Sequence, residues 1–354
     1  MRIGAMAASA ELGIRRAHVL LRRKRDSECG KREKQTNRHS AMIRSARMTR
    51  RQLLSALPAA AAFAQSPARY QLGVMATVFA ALPLDDALTR IRKIGYRYIS
   101  MSRQHAGQPV FDPAMTKPQR QAMLRRIRDL GVQPFMSLGG FGAEPTTAEG
   151  LARCLAQLDL CADFEIPVMV GAGPWYFTKF PTQPKRDRDW QQEVSRFYAG
   201  LEKAIRHAES ARVVIALKPH TGITARAKDC LDVVKRFGGP HLKIAWDAGN
   251  ISFYEGIYPD PDLADLAPHI NSVCIKDHKG GRAVADFPVP GQGNIDHEAM
   301  FRTLLAAGFR GPMGIERVDG PDGGMNKVAP AVVEERLIAA YKYLTPLLDR
   351  LAAA

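Results

Sequence analysis

The stretch VVIALKPHTGITARAKDCLDVVKRFGGPHLKIAWD, residues 213–247, contains one complete unit of the predicted fold. Its two apolar runs, Val213 to Leu217 and Leu242 to Asp247, are short and rich in β-branched residues, as buried strands are. Between them, Ala225 to Phe237 has apolar residues at helical spacing. Strand, helix and strand in this order predict two parallel strands joined by a crossover helix.

The same alternation runs from Tyr70 to the end of the chain. Strands are predicted near Gln71 to Ala76, Tyr96 to Met101, Val132 to Leu138, Pro167 to Gly171, Val213 to Leu217, Leu242 to Asp247, Ile270 to Lys276 and Pro312 to Glu316. Helices are predicted at Leu84 to Ile94, Lys117 to Leu130, Thr147 to Phe164, Trp190 to Ser210, Ala225 to Phe237, Pro261 to Ala267, Asp296 to Ala307 and Ala331 to Leu351. Eight such pairs indicate a single (β/α)8 TIM barrel with parallel strands. A two-domain doubly wound fold is disfavoured, because no GxGxxG follows the first strand and no linker interrupts residues 70–354.

The basic charge is concentrated before the barrel. The chain has a net charge of +16, yet residues 1–69 hold 16 Lys or Arg and 4 Asp or Glu, which leaves the body close to neutral. We therefore expect no nucleic-acid partner. Residues 48–64 start with a twin arginine, Arg50-Arg51, continue as an apolar alanine-rich run and end Ala-Phe-Ala, a pattern that resembles a twin-arginine export signal.

This pattern predicts three regions. Residues 1–47 are interpreted as a disordered or untranslated leader, with Met48 as an alternative start to Met1, residues 48–64 as a signal peptide, and residues 65–354 as the barrel. We expect a periplasmic or exported protein with no membrane segment after cleavage, because no later run reaches the ~20 apolar residues of a membrane span. The body cysteines form no CxxC pair, and Cys154 and Cys161, which are too far apart for a disulfide, are interpreted as core residues.

Chemistry in a TIM barrel lies at the carboxyl ends of the strands, and the last four strands end on reactive side chains. Strand five is followed by Lys218 and His220, strand six by Asp247 and Asn250, strand seven by Lys276 and His278, and strand eight by Glu316. Because side chains alternate along a strand, we expect Lys218 to share a face with His220, and Cys274 to share one with Lys276 and His278. Two carboxylates, two lysines and two histidines on one rim indicate a functional site.

Four motifs in these strands carry a family resemblance: WDAGN (246–250), IKDHKGG (275–281), VPGQGNID (289–296) and GFRGPMGIE (308–316). In this order they resemble the sugar phosphate isomerase/epimerase family with the xylose-isomerase-like barrel. The resemblance implies a sugar isomerase or epimerase with a divalent metal (Mn, Mg or Zn) held by Glu, Asp, His and Glu. The two Glu residues would relay a proton next to a carbonyl.

The resemblance also reveals two departures. Asp247 and Glu316 match two of the metal ligands, but Lys218 stands at the position of the family's first Glu and Cys274 at that of its His. We hypothesise that the Lys218 ammonium, held by Asp247 and Glu316, takes the place of the ion and polarises a substrate carbonyl or hydroxyl. Glu316 is then the preferred general base, His220 or His278 returns the proton, and Lys276 neutralises an enediolate or carboxylate.

Three alternatives stay open at this point. Lys218 could form a Schiff base with a keto-sugar and give aldolase or lyase chemistry. A metal could persist on Asp247, Glu316 and a histidine, with Cys274 as an optional ligand. The chain could also be a non-catalytic periplasmic sugar-binding barrel.

The remaining candidates are substrate-binding residues, and the expected partner is a small-molecule carbohydrate, with a homo-oligomer possible. Asn250 and His278 are candidates on the late strands. Arg103 and His105, which follow strand two, are candidates on the opposite part of the rim. Trp175 begins a predicted irregular stretch, Trp175 to Asp189, whose aromatic residues either stack on a sugar or pack the loop onto the barrel.

Overall fold

The computed structural model describes residues 70–138, 144–321, 324 and 327–353. The predicted leader and the predicted signal peptide lie outside these residues. Within them the chain forms a closed barrel of eight parallel strands with the neighbour order of a (β/α)8 barrel. The barrel strands are β1 (Gln71–Met75), β2 (Tyr98–Met101), β5 (Gln133–Leu138), β6 (Val168–Gly171), β9 (Val214–Leu217), β10 (Leu242–Trp246), β11 (Ile270–Ile275) and β12 (Pro312–Ile315).

Helices surround the strands and cover their outer faces. They are α1 (Leu84–Ile94), α2 (Lys117–Asp129), α3 (Ala148–Asp163), α4 (Asp187–Ala211), α5 (Ala227–Phe237), α6 (Ala248–Glu255), α7 (Leu263–Leu266), α8 (His297–Ala306) and α9 (Pro330–Ala353). The N-cap side chains of Thr147 and Asp296 accept hydrogen bonds from the first turns of α3 and α8, so polar residues in the sequence define where these helices begin. None of the helices in the described ranges has the length and apolar character needed to cross a bilayer.

The fold prediction is confirmed, and the differences concern short elements. A helix, α6, follows β10 directly, where no helix was predicted. Two small hairpins, β3 (Gln104–His105) with β4 (Gln108–Pro109) and β7 (Phe177–Lys179) with β8 (Gln183–Pro184), interrupt loops. The stretch after β6 that was predicted to be irregular therefore contains a hairpin, and α4 already begins at Asp187. The two hairpins are too short to show an alternating apolar pattern.

The barrel interior is arranged in layers. Small or apolar side chains near the strand ends pack together inside it, among them Ala216, Ala245 and Cys274. Because strand side chains alternate, the residue two positions further on also points inward. Those residues are Lys218, Asp247 and Lys276, and Gly314 is related in the same way to Glu316. An apolar layer inside the barrel therefore supports a layer of charges at the carboxyl rim.

The four cysteines of the described body are free and buried. The burial of Cys154 and Cys161 agrees with the prediction that these two are core residues.

Candidate active site

Four buried charges form the centre of the site. The Lys218 ammonium donates to both carboxylate oxygens of Glu316 at 2.9 Å and lies 3.4 Å from Asp247 Oδ2. The Lys276 ammonium lies 2.7 Å from Glu316 Oε2 and 3.0 Å from Asp247 Oδ2. Two ammonium groups and two carboxylates thus make a neutral cluster, which is how buried charges are tolerated in a protein interior.

The two lysines differ in their access to the barrel mouth. Lys218 is 0 % exposed, whereas Lys276 is 3 % and Glu316 is 6 % exposed. The Lys218 ammonium therefore lies entirely within the protein. Lys276 and Glu316 are the members of the cluster with surface left for a substrate.

The charges shift one another's pKa values. Burial alone lowers the pKa of Lys218, but the Glu316 and Asp247 carboxylates outweigh it, so the net shift is upward and Lys218 stays protonated. Burial also raises the pKa of Glu316, but Lys218 and Lys276 more than reverse this, and the carboxyl ionises well below its usual range. For Asp247 burial dominates, and its pKa is raised although both lysines lower it.

Asn250 connects the cluster to the neighbouring histidine. It lies in the first turn of α6, where Asp247 caps the helix by accepting from the Asn250 backbone N–H at 2.9 Å. Its side-chain carbonyl accepts from Lys276 at 2.8 Å, and its amide donates to the Pro219 carbonyl at 2.7 Å. The same amide lies 3.3 Å from His220 Nε2. One amide thus orients both Lys276 and His220.

Gly249 of the WDAGN motif explains how Lys276 reaches the cluster. A Cβ at this position would lie 2.3 Å from Lys276 Cγ and 3.1 Å from the Lys276 carbonyl oxygen. No side chain fits there while Lys276 keeps its position. The absence of a side chain at Gly249 therefore leaves the space in which the aliphatic part of Lys276 runs beside α6.

Asp277 has a structural role beside Lys276. Its carboxylate accepts backbone N–H bonds from His278, Gly291, Gly293 and Ile295, at 2.9 to 3.0 Å. These bonds fold the VPGQGNID segment under the rim. Lys276 and Asp277 are adjacent in sequence, but consecutive side chains at a strand end point to opposite sides. The Lys276 side chain therefore enters the site, and the Asp277 side chain binds the loop.

The structure separates the predicted site residues into two groups. Lys218, His220, Asp247, Asn250, Lys276 and Glu316 lie together, whereas the Arg103 side chain is exposed and makes no hydrogen bond or ion pair with the described part of the cluster. His105 is buried, with Nδ1 3.2 Å from the Leu82 carbonyl, a contact that anchors the loop after β1. Neither of these two contacts the cluster, so their substrate-binding roles stay predictions.

His278 lies close to the cluster in sequence but has protein partners on both ring nitrogens. Nε2 is 2.8 Å from the Val284 carbonyl and Nδ1 is 2.8 Å from Ser252 Oγ. Phe253 and Phe287 flank its ring. Contact with a substrate would require the loss of one of these hydrogen bonds.

An aromatic group extends from the site to solvent. The ring centroid of Tyr254, on α6, lies 5.4 Å from that of His220 and 5.7 Å from that of Trp175. Trp175 is 40 % exposed and also contacts Phe177 and Phe180. Tyr254 is not among the predicted site residues. Recognition of Asp247 as a helix cap would have predicted α6 and placed Tyr254 about two turns after the cap, near the rim.

Three groups of the cluster have the spacing of a metal site. Ligand atoms of Asp247, Cys274 and Glu316 lie within 4.8 Å of one another. The same two carboxylates, however, face two ammonium groups at 2.7 to 3.4 Å. Burial raises the pKa of the Cys274 thiol, so it stays protonated and is a poor ligand.

A closed parallel barrel with acids, ammonium groups and an amide at its carboxyl rim has the architecture of TIM-barrel enzymes, whose active sites lie at that end. Within that class, the chain belongs to the xylose isomerase-like TIM barrel family, whose model matches residues 88–336. It is an isomerase/epimerase-like enzyme, as the names of its relatives show.

The chain is similar in sequence to one relative and similar in fold to two solved structures. L-ribulose-5-phosphate 3-epimerase UlaE of Escherichia coli O1:K1 is 25 % identical over 244 residues, 65 % of this chain and 81 % of its own. A xylose isomerase domain protein from Planctomyces limnophilus superposes with a TM-score of 0.60 at 19 % identity, covering 80 % of this chain and 99 % of its own. D-psicose 3-epimerase from Clostridium cellulolyticum H10, solved with D-tagatose, gives a TM-score of 0.62 at 11 % identity, covering 78 % and 99 %.

Proposed function

We propose that the protein is a sugar isomerase or epimerase that moves a proton at the carbon next to a carbonyl, with lysine ammonium groups in place of a divalent ion. The observation that carries this proposal is the buried cluster of two lysines and two carboxylates. Membership of the family supports the type of reaction, and the cluster supports the choice of groups that would move the proton and stabilise the charge.

The residues present do not fit the divalent metal that the family implies. A cation bound by Asp247 and Glu316 would lie against two ammonium groups that already neutralise both carboxylates. The third donor is a protonated thiol, which is a soft and weak ligand. We therefore derive the reaction from the side chains alone.

Glu316 is the proposed general base, and Lys276, oriented by the Asn250 side-chain carbonyl, stabilises the developing enediolate oxygen. A substrate oxygen that binds Lys276 competes with the 2.7 Å contact between Lys276 and Glu316. Loss of that contact raises the pKa of Glu316 towards its ordinary value and makes it a stronger base at the moment of proton abstraction. The ammonium then stabilises the negative charge that appears on the oxygen.

Lys218 has a different role from the one that the sequence suggested. Since its ammonium is fully buried, we assign the polarisation of the carbonyl to Lys276 and the balancing of charge to Lys218. Its raised pKa also opposes Schiff-base chemistry, which needs a neutral amine. Borohydride with a keto-sugar should therefore leave no adduct on Lys218.

The test combines metal analysis with isotope exchange. Wild-type protein treated with EDTA is incubated in D2O with ketoses, phosphorylated and not, and deuterium at the carbon next to the carbonyl is followed by NMR. We expect exchange without a stoichiometric divalent ion. Exchange that disappears with EDTA and returns with a divalent ion would refute the metal-free mechanism. Calorimetric binding of a sugar without any exchange would favour a binding protein.

A double variant provides a matched comparison for the metal analysis. Lys218→Glu with Cys274→His restores the family's Glu, Asp, His and Glu set on the same strands. We expect this double variant, unlike wild type, to retain one divalent ion per chain after gel filtration. Equal metal content in the two proteins would contradict the role given to the lysines.

Export is the second part of the proposal and rests on the sequence of residues 48–64. A periplasmic enzyme would meet unphosphorylated sugars or sugar acids, because phosphorylated sugars are chiefly cytoplasmic. Replacement of Arg50-Arg51 by Lys-Lys should abolish export of a fused reporter. A reporter exported equally well by the Lys-Lys form would refute the twin-arginine assignment.

A further inference from the structure

In the reaction proposed above, the proton can return to the face it left, which keeps the configuration of the carbon, or arrive on the opposite face, which inverts it. The side chains able to donate a proton determine which of the two occurs. One group that removes and returns a proton on the same face cannot invert a carbon. Inversion needs a second proton donor on the other side of the substrate. Glu316, on β12, is the proposed base, so the second donor has to approach from another part of the rim.

The histidines nearest to the cluster are poorly suited to this role. Burial, aided by Lys218, lowers the pKa of His220 well below its ordinary value, so the ring is neutral. Its Nδ1 lies 3.2 Å from the Lys218 carbonyl and its Nε2 accepts from the Asn250 amide. The one ring proton of His220 therefore points at a backbone carbonyl. His278 has both nitrogens bonded to protein, as described above.

Lys218 cannot serve either, although it stands where the family has its other acid-base residue. Its ammonium has no exposed surface, and it lies within 3.4 Å of both carboxylates. A proton leaving Lys218 would leave two buried carboxylates with a single counter-ion.

Tyr254 has the access that these groups lack. It is half-buried on α6, and its ring packs between His220 and the exposed Trp175. Among the residues that the structure describes, its hydroxyl makes no hydrogen bond. Burial raises the pKa of this hydroxyl, and Glu316 and Asp247 add to the rise, whereas Lys218 acts in the opposite direction, so the Tyr254 hydroxyl is protonated and can donate. Tyr254 follows β10, which is separated from the β12 strand of Glu316 by β11.

We propose that Tyr254 is the second proton-transfer residue, placed across the substrate from Glu316, and that the reaction is therefore epimerisation. This inference rests on the proposed function. Glu316 takes the proton as the C–H electron pair forms the enediolate double bond and the carbonyl becomes an enolate oxygen. The Tyr254 O–H then gives its proton to the opposite face of the same carbon, and the carbonyl forms again. The protonated Glu316 and the tyrosinate return to their starting states by proton exchange with solvent.

The experiment compares exchange with inversion in Tyr254→Phe, which keeps every ring contact. L-ribulose and D-psicose are incubated in D2O with each protein. We expect the variant to incorporate deuterium into the starting epimer at a rate within about threefold of wild type, while inversion falls about 100-fold or more. Tyr343→Phe, which alters a 37 % exposed tyrosine on α9, should change neither rate.

Two results would overturn the inference while leaving the proposed function intact. One is inversion by Tyr254→Phe at the wild-type rate. The other is an equal loss of exchange and inversion, which would indicate a role in binding or folding. Absence of exchange in wild type with both ketoses would overturn the proposed function and this inference together.

Discussion

The neutral four-charge cluster predicts strong coupling between Lys218 and Glu316 in stability. At 2.9 Å and an effective dielectric constant near 20, two unit charges attract by about 6 kcal/mol. Lys218→Met leaves Lys276 alone with two carboxylates, and Glu316→Gln leaves Asp247 alone with two ammonium groups. Each single change should lower the free energy of unfolding by about 3–5 kcal/mol, because it leaves one buried charge without a counter-charge.

The double variant restores neutrality, since the Lys276–Asp247 pair at 3.0 Å remains. Its unfolding free energy should therefore lie about 2–3 kcal/mol above the additive expectation. Urea unfolding at pH 7 measures the four proteins. The surface pair Arg206–Glu202 is the control cycle, and its coupling should stay below about 1 kcal/mol. Losses from the two buried changes that add within about 0.5 kcal/mol would refute the shared-charge cluster.

Three further outcomes follow from the same geometry. Lys276→Met should lower kcat for isotope exchange about 100-fold or more with a smaller change in KM, because its ammonium acts on charge that develops in the transition state; an unchanged kcat in steady-state assays would contradict this role. Gly249→Ala should displace Lys276 and lower kcat as well, at a stability cost of about 1–3 kcal/mol measured in urea, and wild-type activity would show that Lys276 keeps its position. Because the folded pKa of Glu316 lies below its ordinary value near 4.3, this carboxylate stabilises the fold above that pH and loses the effect as pH falls; the difference in unfolding free energy between wild type and Glu316→Gln should shrink below about pH 4, and a difference that grows there would refute the assigned shift.

Much of this architecture was predictable because it depends on the alternation of side chains along each strand and on the order of strands and helices along the chain. Strand alternation relates Ala216 to Lys218 and Ala245 to Asp247, so the sequence alone identifies which residues turn inward at the rim. Parallel topology then brings the strand ends together. These two rules explain why the sequence can assign Lys218, Asp247, Lys276 and Glu316 to one rim, whereas the distances between them come only from the structure.

The misses arise where a residue's role depends on depth or on short-range capping. Strand order could not tell that Lys276 keeps 3 % exposure while Lys218 keeps none, since both follow an inward residue by two positions. Helix α6 was missed because Gly249 and the lack of an apolar stripe weaken its pattern, although Asp247 is a good N-cap. Without α6, the sequence also could not place the Tyr254 ring against His220.

A covalently attached cation differs from a bound ion in one respect that matters for catalysis. A metal can shift its coordination to the substrate, whereas the buried Lys218 ammonium stays with the Glu316 and Asp247 carboxylates. Mobility therefore has to come from Lys276, which can exchange a carboxylate contact for a substrate oxygen. In the proposed mechanism the two lysines divide the work of a single ion, with permanent charge balance from Lys218 and substrate contact from Lys276, which keeps 3 % exposure.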